Sequence, residues 1–147
     1  MFINKNKTHI EKDLFKQNKT WYIIDATNKT LGRLSSQVAY LIRGKNNNIY
    51  TPYQIQNINI IIINSSLIKL TGKKREQLIY KRHSGRPGGL KIEKFNDLQK
   101  RLPNKILEKS IKGMLPKNIL GRQLFKQLKI YSHDIHPHSA QKPITID

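Results

Sequence analysis

At 147 residues the chain has the length of one domain with one core. It carries 28 basic against 9 acidic residues, a formal net charge of +19, with 37% hydrophobic residues and no cysteine. That balance excludes disulfides, thiolate metal sites and thiol nucleophiles, and it calls for a polyanion to relieve self-repulsion. Nucleic acid is the first candidate. A membrane surface fits less well, because the cations are spread over loops and helices rather than gathered on one amphipathic helix. The longest apolar run is Ile60–Ile63, a buried strand at most.

In chain order, residues 1–20 are rich in Lys and Asn with weak periodicity, and are expected to be a basic extension outside the fold. That stretch lacks a signal peptide's apolar core and has no Arg, so manufacture in the working compartment is expected. Residues 21–147 are expected to form a single domain. Trp21 to Ala26 reads as a strand, and Asn28 and Thr30 supply turn and cap chemistry. Leu31, Leu34, Val38, Leu41 and Ile42 follow at helical spacing, with Gly44 as the stop. After a loop from Lys45 to Gln56, Ile58 to Asn64 is a β-branched strand of the kind buried on both faces of a parallel sheet.

A helical turn from Ser65 to Leu70 is expected next, then a loop, then a third strand from Gln77 to Arg82. The segment His83 to Gly89 holds three Gly and one Pro, which precludes regular structure. Phe95 to Lys100 starts a helix and Leu102-Pro103 restarts one, with Ile106, Leu107 and Ile111 as its buried stripe. Another helix follows Asn118, carrying Leu120, Leu124 and Phe125. Lys129 to Tyr131 is a short strand, and the tail from Ser132 shows no periodicity. Strands alternating with helices imply an α/β domain with a largely parallel sheet.

Fourteen of the nineteen net charges lie between Ser66 and Ile130. Within that span Lys73, Lys74 and Arg75 follow Gly72 as three adjacent loop cations able to reach separate phosphates. Arg82, His83, Ser84, Arg86, Gly88, Gly89 and Lys91 form a glycine-rich basic loop. Its backbone N–H groups can face phosphate oxygens, while its arginines bind them bidentately. An enzyme acting on a nucleotide or phosphorylated substrate through residues 83–91 is the rival reading, but the P-loop spacing and its following helix are absent. The segment Lys112-Gly113-Met114-Leu115-Pro116-Lys117, followed by Gly121-Arg122, is a basic, apolar turn between two helices that suits a phosphate backbone. Among His133, Asp134, His136 and His138, Pro137 interrupts and no second carboxylate converges, so nucleic-acid contact is favoured over a metal. No catalytic constellation stands out. The aromatics lack the paired strand pattern of single-strand binders, so shape and phosphates should dominate over base stacking.

With these residues in view, the chain resembles the bacterial-type large-subunit ribosomal protein L-thirteen family. The matching stretches are WYIIDA at 21–26, TLGRL at 30–34, RGK at 43–45, YTP at 50–52, IIIIN at 60–64, TGKKR at 71–75, HSGRPGG at 83–89, KGMLPKNILGR at 112–122, LKIY at 128–131 and HPHSAQKP at 136–143. The resemblance implies a three-layer α/β/α fold around a short, mostly parallel four-stranded sheet. It implies large-subunit ribosomal RNA and neighbouring ribosomal proteins as partners, an early assembly role, and no catalysis, cofactor, small-molecule substrate or homo-oligomer. The RNA-binding set expected on this basis comprises the two clusters above together with Lys45, Lys112, Met114, Pro116, Lys117, Arg122, Lys126, His136 and His138. The chain departs from the family pattern at Tyr53, Ile55, Asn57 and Ile58, and again at His133.

Lys, Ile and Asn make up 56 of the 147 residues, whereas Ala occurs three times, a bias that AT-rich coding DNA favours. With the RHSGRPGG stretch, which looks like the cyanobacterial and plastid branch, this points to a ribosome of the plastid stroma. A bacterial cytoplasm is the alternative.

Overall fold

The computed structural model describes residues 19–47 and 50–146; the expected extension at 1–20 therefore lies almost wholly outside the described residues. The strand-forming logic is plainest at Ile58–Ile63 (β2), where five of six residues are isoleucine. Their branched side chains suit a pleated surface covered on both faces, and Ile60, Ile61 and Ile62 are fully buried. β2 lies between Thr20–Asp25 (β1) and Leu128–Ile130 (β5), parallel to both. The short strand Ile144–Thr145 (β6) adds to the far side of β1, also parallel, completing the order β5-β2-β1-β6. The expected α/β class and four-stranded parallel sheet are thus found.

Leu31–Ile42 (α1) connects β1 to β2, and Gly44 ends it at φ +70, where its N–H donates to the Leu41 carbonyl. Three helices follow between β2 and β5: Phe95–Arg101 (α3), Pro103–Met114 (α4) and Ile119–Lys126 (α5), with the single turn Lys74–Gln77 (α2) before them. Pro103 opens α4, where its missing N–H costs nothing. Leu34, Val38 and Ile42 of α1 join Ile106, Leu107 and Ile111 of α4 over the sheet face that carries Ile24, Ile58, Ile60 and Ile62. Each such fully buried side chain stabilises the fold by about 1.5–3 kcal/mol.

The opposite face is covered differently. Moving from β1 to β2 to β5, right-handed crossovers put α1 and α4 on one face; the return from β5 to β6 must pass over the other. There Trp21 meets the ring of His138 at 5.1 Å, and Ile61 is sealed. The second outer layer thus includes the tail, which holds the 3-10 turn Ser139–Gln141.

Two expectations need correction. The third strand, Ile79–His83 (β3), is present but is not in the main sheet. It pairs antiparallel with Leu90–Lys94 (β4) in a separate ribbon, because the six-residue turn between them returns the chain directly. The cations after Gly72 are not in a free loop: Lys73 precedes α2, and Lys74 and Arg75 lie within it. The tail from Ser132, which shows no periodicity, ends in β6 on the sheet, with the Ile146 N–H donating to Ile23 O at 2.9 Å. Its two-residue strand is too short to leave a periodic trace. Asp25 closes the top of β1 by accepting from Thr27 and from Asn64 Nδ2. Partial burial raises its pKa, but those hydrogen bonds and nearby Lys29 outweigh it and hold the carboxyl below its usual value.

Candidate nucleic-acid interface

The sharpest site forms where α4 hands over to α5. Leu115 leaves the helix in extended conformation, Pro116 prevents its continuation, and Asn118 starts α5 by accepting the Gly121 N–H at 2.9 Å. Gly121 is buried directly against Pro116: a Cβ there would fall inside contact distance of the Pro116 carbonyl oxygen and 2.7 Å from its carbon. This close approach folds the two helix ends into a cleft of about 380 Å³. Leu115, Pro116 and Phe125 make its apolar walls; Lys112, Lys117, Arg122 and Lys126 bring four cations and no carboxylate. Arg122 and Lys126 are one turn apart on α5 and so share a face. The Lys112 ammonium stands 5.9 Å from the Phe125 ring centroid.

Met114 is exposed at the end of α4 and lines a neighbouring cleft with Lys45, Arg43 and Tyr40. The Tyr40 hydroxyl donates to the Lys45 carbonyl at 3.0 Å, pinning the chain after α1. The α1–α4 packing thus brings Lys45 close to a segment some seventy residues on. Sequence reasoning missed Phe125 as a cleft wall, since at helical spacing it read as core, whereas Leu115 lay within the turn it had marked.

The glycine-rich segment is the tip of the β3–β4 ribbon. Gly85 and Gly88 hold φ of +91 and +71, and the turn is closed by Ser84 N–H to Gly89 O and Gly89 N–H to Arg86 O. Gly89 sits so close to Ser84 and the Arg86 carbonyl that a side chain would not fit. The Gly85 N–H is already spent on His83 Nδ1 at 2.9 Å. Arg82 and Lys91 are cross-strand partners, and both are exposed. On the ribbon's inner face Tyr80 carries the Lys109 ammonium 4.7 Å from its ring centroid, and Glu93 holds Arg101 bidentately at 2.8 Å. The loop is followed by a strand rather than a helix N-terminus, so it has none of the architecture of an enzyme's phosphate loop.

Lys73, Lys74 and Arg75 are exposed on and beside α2, after Gly72 at φ +64. His136 and His138 lie on the tail. His138 Nε2 is 2.8 Å from the Tyr131 hydroxyl, its N–H donates to His136 Nδ1, and its ring packs on Trp21. Both are half-buried and occupied in attaching the tail. Among the described residues no helix is long and apolar enough to cross a membrane.

The family profile for ribosomal protein L13 matches residues 19–137. The large ribosomal subunit protein uL13c of Gracilaria tenuistipitata var. liui is 62% identical over 138 residues, which cover 94% of this chain and 95% of that one. The uL13 protein of Prochlorococcus marinus is 55% identical over 94% of this chain and 91% of its own length. The uL13c protein of Pyropia yezoensis is 54% identical over 94% and 96%.

Proposed function

The chain belongs to the ribosomal protein L13 family, and on that premise we propose that it grips large-subunit ribosomal RNA chiefly through phosphates and supports early subunit assembly. It is a structural component of the large ribosomal subunit, with rRNA and ribosomal proteins as its partners, and not an enzyme. The observation that carries the phosphate reading is the cleft between α4 and α5, where four cations converge without an acid. Four like charges so placed repel one another until an anion enters. The apolar walls restrict competing water, and Arg122 offers a planar donor fork to phosphate oxygens.

Lys73, Lys74, Lys91 and Lys45 extend the contact as point charges along the RNA backbone, and Arg75, Arg82 and Arg86 as bidentate donors. Gly88 and Gly89 let backbone approach closely at the ribbon tip, with His83 and Ser84 beside them. Met114 and Pro116 give the turn an apolar edge for sugar faces. His136 and His138 contribute by holding the tail in place. The protein acts as a single copy. Its working place is the plastid ribosome, supported by its AT-favoured composition and by relatives that carry the name uL13c.

The test is binding to full-length large-subunit rRNA, transcribed in vitro, at increasing salt. With about six or more phosphates neutralised, the log–log slope should be about −4 to −5.5 or steeper. The double variant Arg122→Gln, Lys126→Gln should flatten it by roughly 1.5 while leaving melting unchanged. A wild-type response flat in salt would remove the basis of this function.

A further inference from the structure

We propose a second phosphate site, at the carboxyl ends of β2 and β5, in the cleft bounded by Arg75, Lys100, Asn96 and His133. The inference rests on the reading of the chain as an RNA binder; it takes Arg75 from the cluster after Gly72 and joins it to Lys100, Asn96 and His133, which the charge clusters did not single out as phosphate ligands. The cleft has a volume of about 720 Å³. Its place follows from topology: Ser66 comes just after β2, and Ser132 and His133 just after β5. In open parallel sheets the crevice beyond the strands' carboxyl ends is where ligands are received.

Its floor is already tied together. Asn104 Oδ1 accepts from both Ser65 and Ser132, and Asn104 Nδ2 donates to the Ile130 carbonyl. Ser66 Oγ donates to Ser132 O at 2.9 Å, and Gln99 Nε2 donates to Ser66 O at 2.9 Å. The Asn64 N–H donates to the His133 carbonyl, which fixes the entry of the tail. These bonds occupy the hydroxyls and amides beneath the cleft and hold its shape without a ligand. The walls remain. Arg75 comes from α2, Asn96 and Lys100 from α3, and His133 from the tail, with no carboxylate in the lining.

Among the described residues neither Arg75 nor Lys100 has an ion-pair partner, although nearby Arg101 and Lys105 each have one. Two unpaired cations on a preorganised polar floor are suited to a compact dianion or diester oxygen pair. Arg75 supplies the bidentate fork, and Lys100 a point charge. The ligand chemistry is a phosphate group, from the RNA chain or from a free nucleotide.

The experiment compares wild type, Arg75→Gln with Lys100→Gln, and Arg122→Gln with Lys126→Gln. Each protein is titrated with full-length in vitro transcribed large-subunit rRNA across salt, and separately with inorganic phosphate and AMP. All four side chains are exposed, so melting temperatures should agree within about a degree. The Arg75/Lys100 variant should bind rRNA about tenfold more weakly, with a salt slope shallower by about 0.7–0.9 per phosphate lost. Weakened phosphate or AMP binding with rRNA affinity unchanged would also support the site and assign it to a free phosphorylated ligand. If this variant matches wild type in all three titrations while the Arg122/Lys126 variant loses rRNA affinity, the second site is overturned and the RNA reading stands. If wild type itself does not bind rRNA, the proposed function fails instead.

Discussion

Replacing Gly121 with Ala tests whether the α4–α5 cleft depends on one close backbone approach. The added methyl would meet the Pro116 carbonyl, with its carbon at 2.7 Å. Restoring an ordinary carbon–oxygen separation of about 3.3 Å requires the first turn of α5 to retreat by on the order of 1.5 Å. The obstacle is backbone held between two helix ends, not the tip of a flexible side chain, so relaxation is costly. Overpacking of this kind costs about 1–3 kcal/mol. The retreat also stretches the Asn118 cap onto the Gly121 N–H, at about 1 kcal/mol. Ala gains about 0.5–1 kcal/mol over Gly in a helix. The net is a loss of about 2 kcal/mol, or a melting temperature lower by roughly 4–8 °C. Because Arg122 and Lys126 move with α5, rRNA affinity measured well below the melting temperature should also fall, by about tenfold. Thermal melting followed by circular dichroism and rRNA binding at fixed salt provide the two readings. A variant as stable as wild type would refute the claim that the Pro116 approach sets the position of α5. Lower stability with full RNA affinity would refute the claim that this position aims the cations.

Gly113→Ala is the counterpart on α4: a Cβ there meets nothing within 4 Å, so the free protein should gain up to about 1 kcal/mol in urea unfolding. If RNA backbone passes close by, that stabilised variant should nonetheless bind rRNA more weakly. Tyr131→Phe removes the hydroxyl that meets His138 Nε2 and should cost about 1 kcal/mol, with faster proteolysis of the tail after Ser132; an unchanged digestion pattern would show the tail to be held without that bond. Burial pushes the Tyr80 phenol above its ordinary value of 10.0. Burial favours the neutral form, so its contribution is full below the unfolded value and is lost as pH rises through the folded one. Stability should therefore fall more steeply above about pH 10 in wild type than in Tyr80→Phe, as read from urea midpoints.

The isoleucine run of β2, the helical stripe Leu31–Leu34–Val38 and the glycine stop at Gly44 were legible because each is a local pattern with one physical solution. So were the α4–α5 turn and its Asn118 start, where Pro ends one helix and an Asx side chain begins the next. Local pattern also located the cations of the main cleft, since Lys112 to Lys126 lie within a short stretch of chain. It could not say that β3 leaves the parallel sheet for a ribbon with β4, because strand character is local and strand partnership is not. Nor could it assign β6, whose two residues join β1 only because the tail crosses the sheet and docks His138 on Trp21. The second cleft belongs wholly to tertiary structure. Arg75, Lys100 and His133 are separated by about twenty-five and then thirty-three residues in the sequence, and only the parallel sheet, by ending β2 and β5 side by side, brings their elements to one opening.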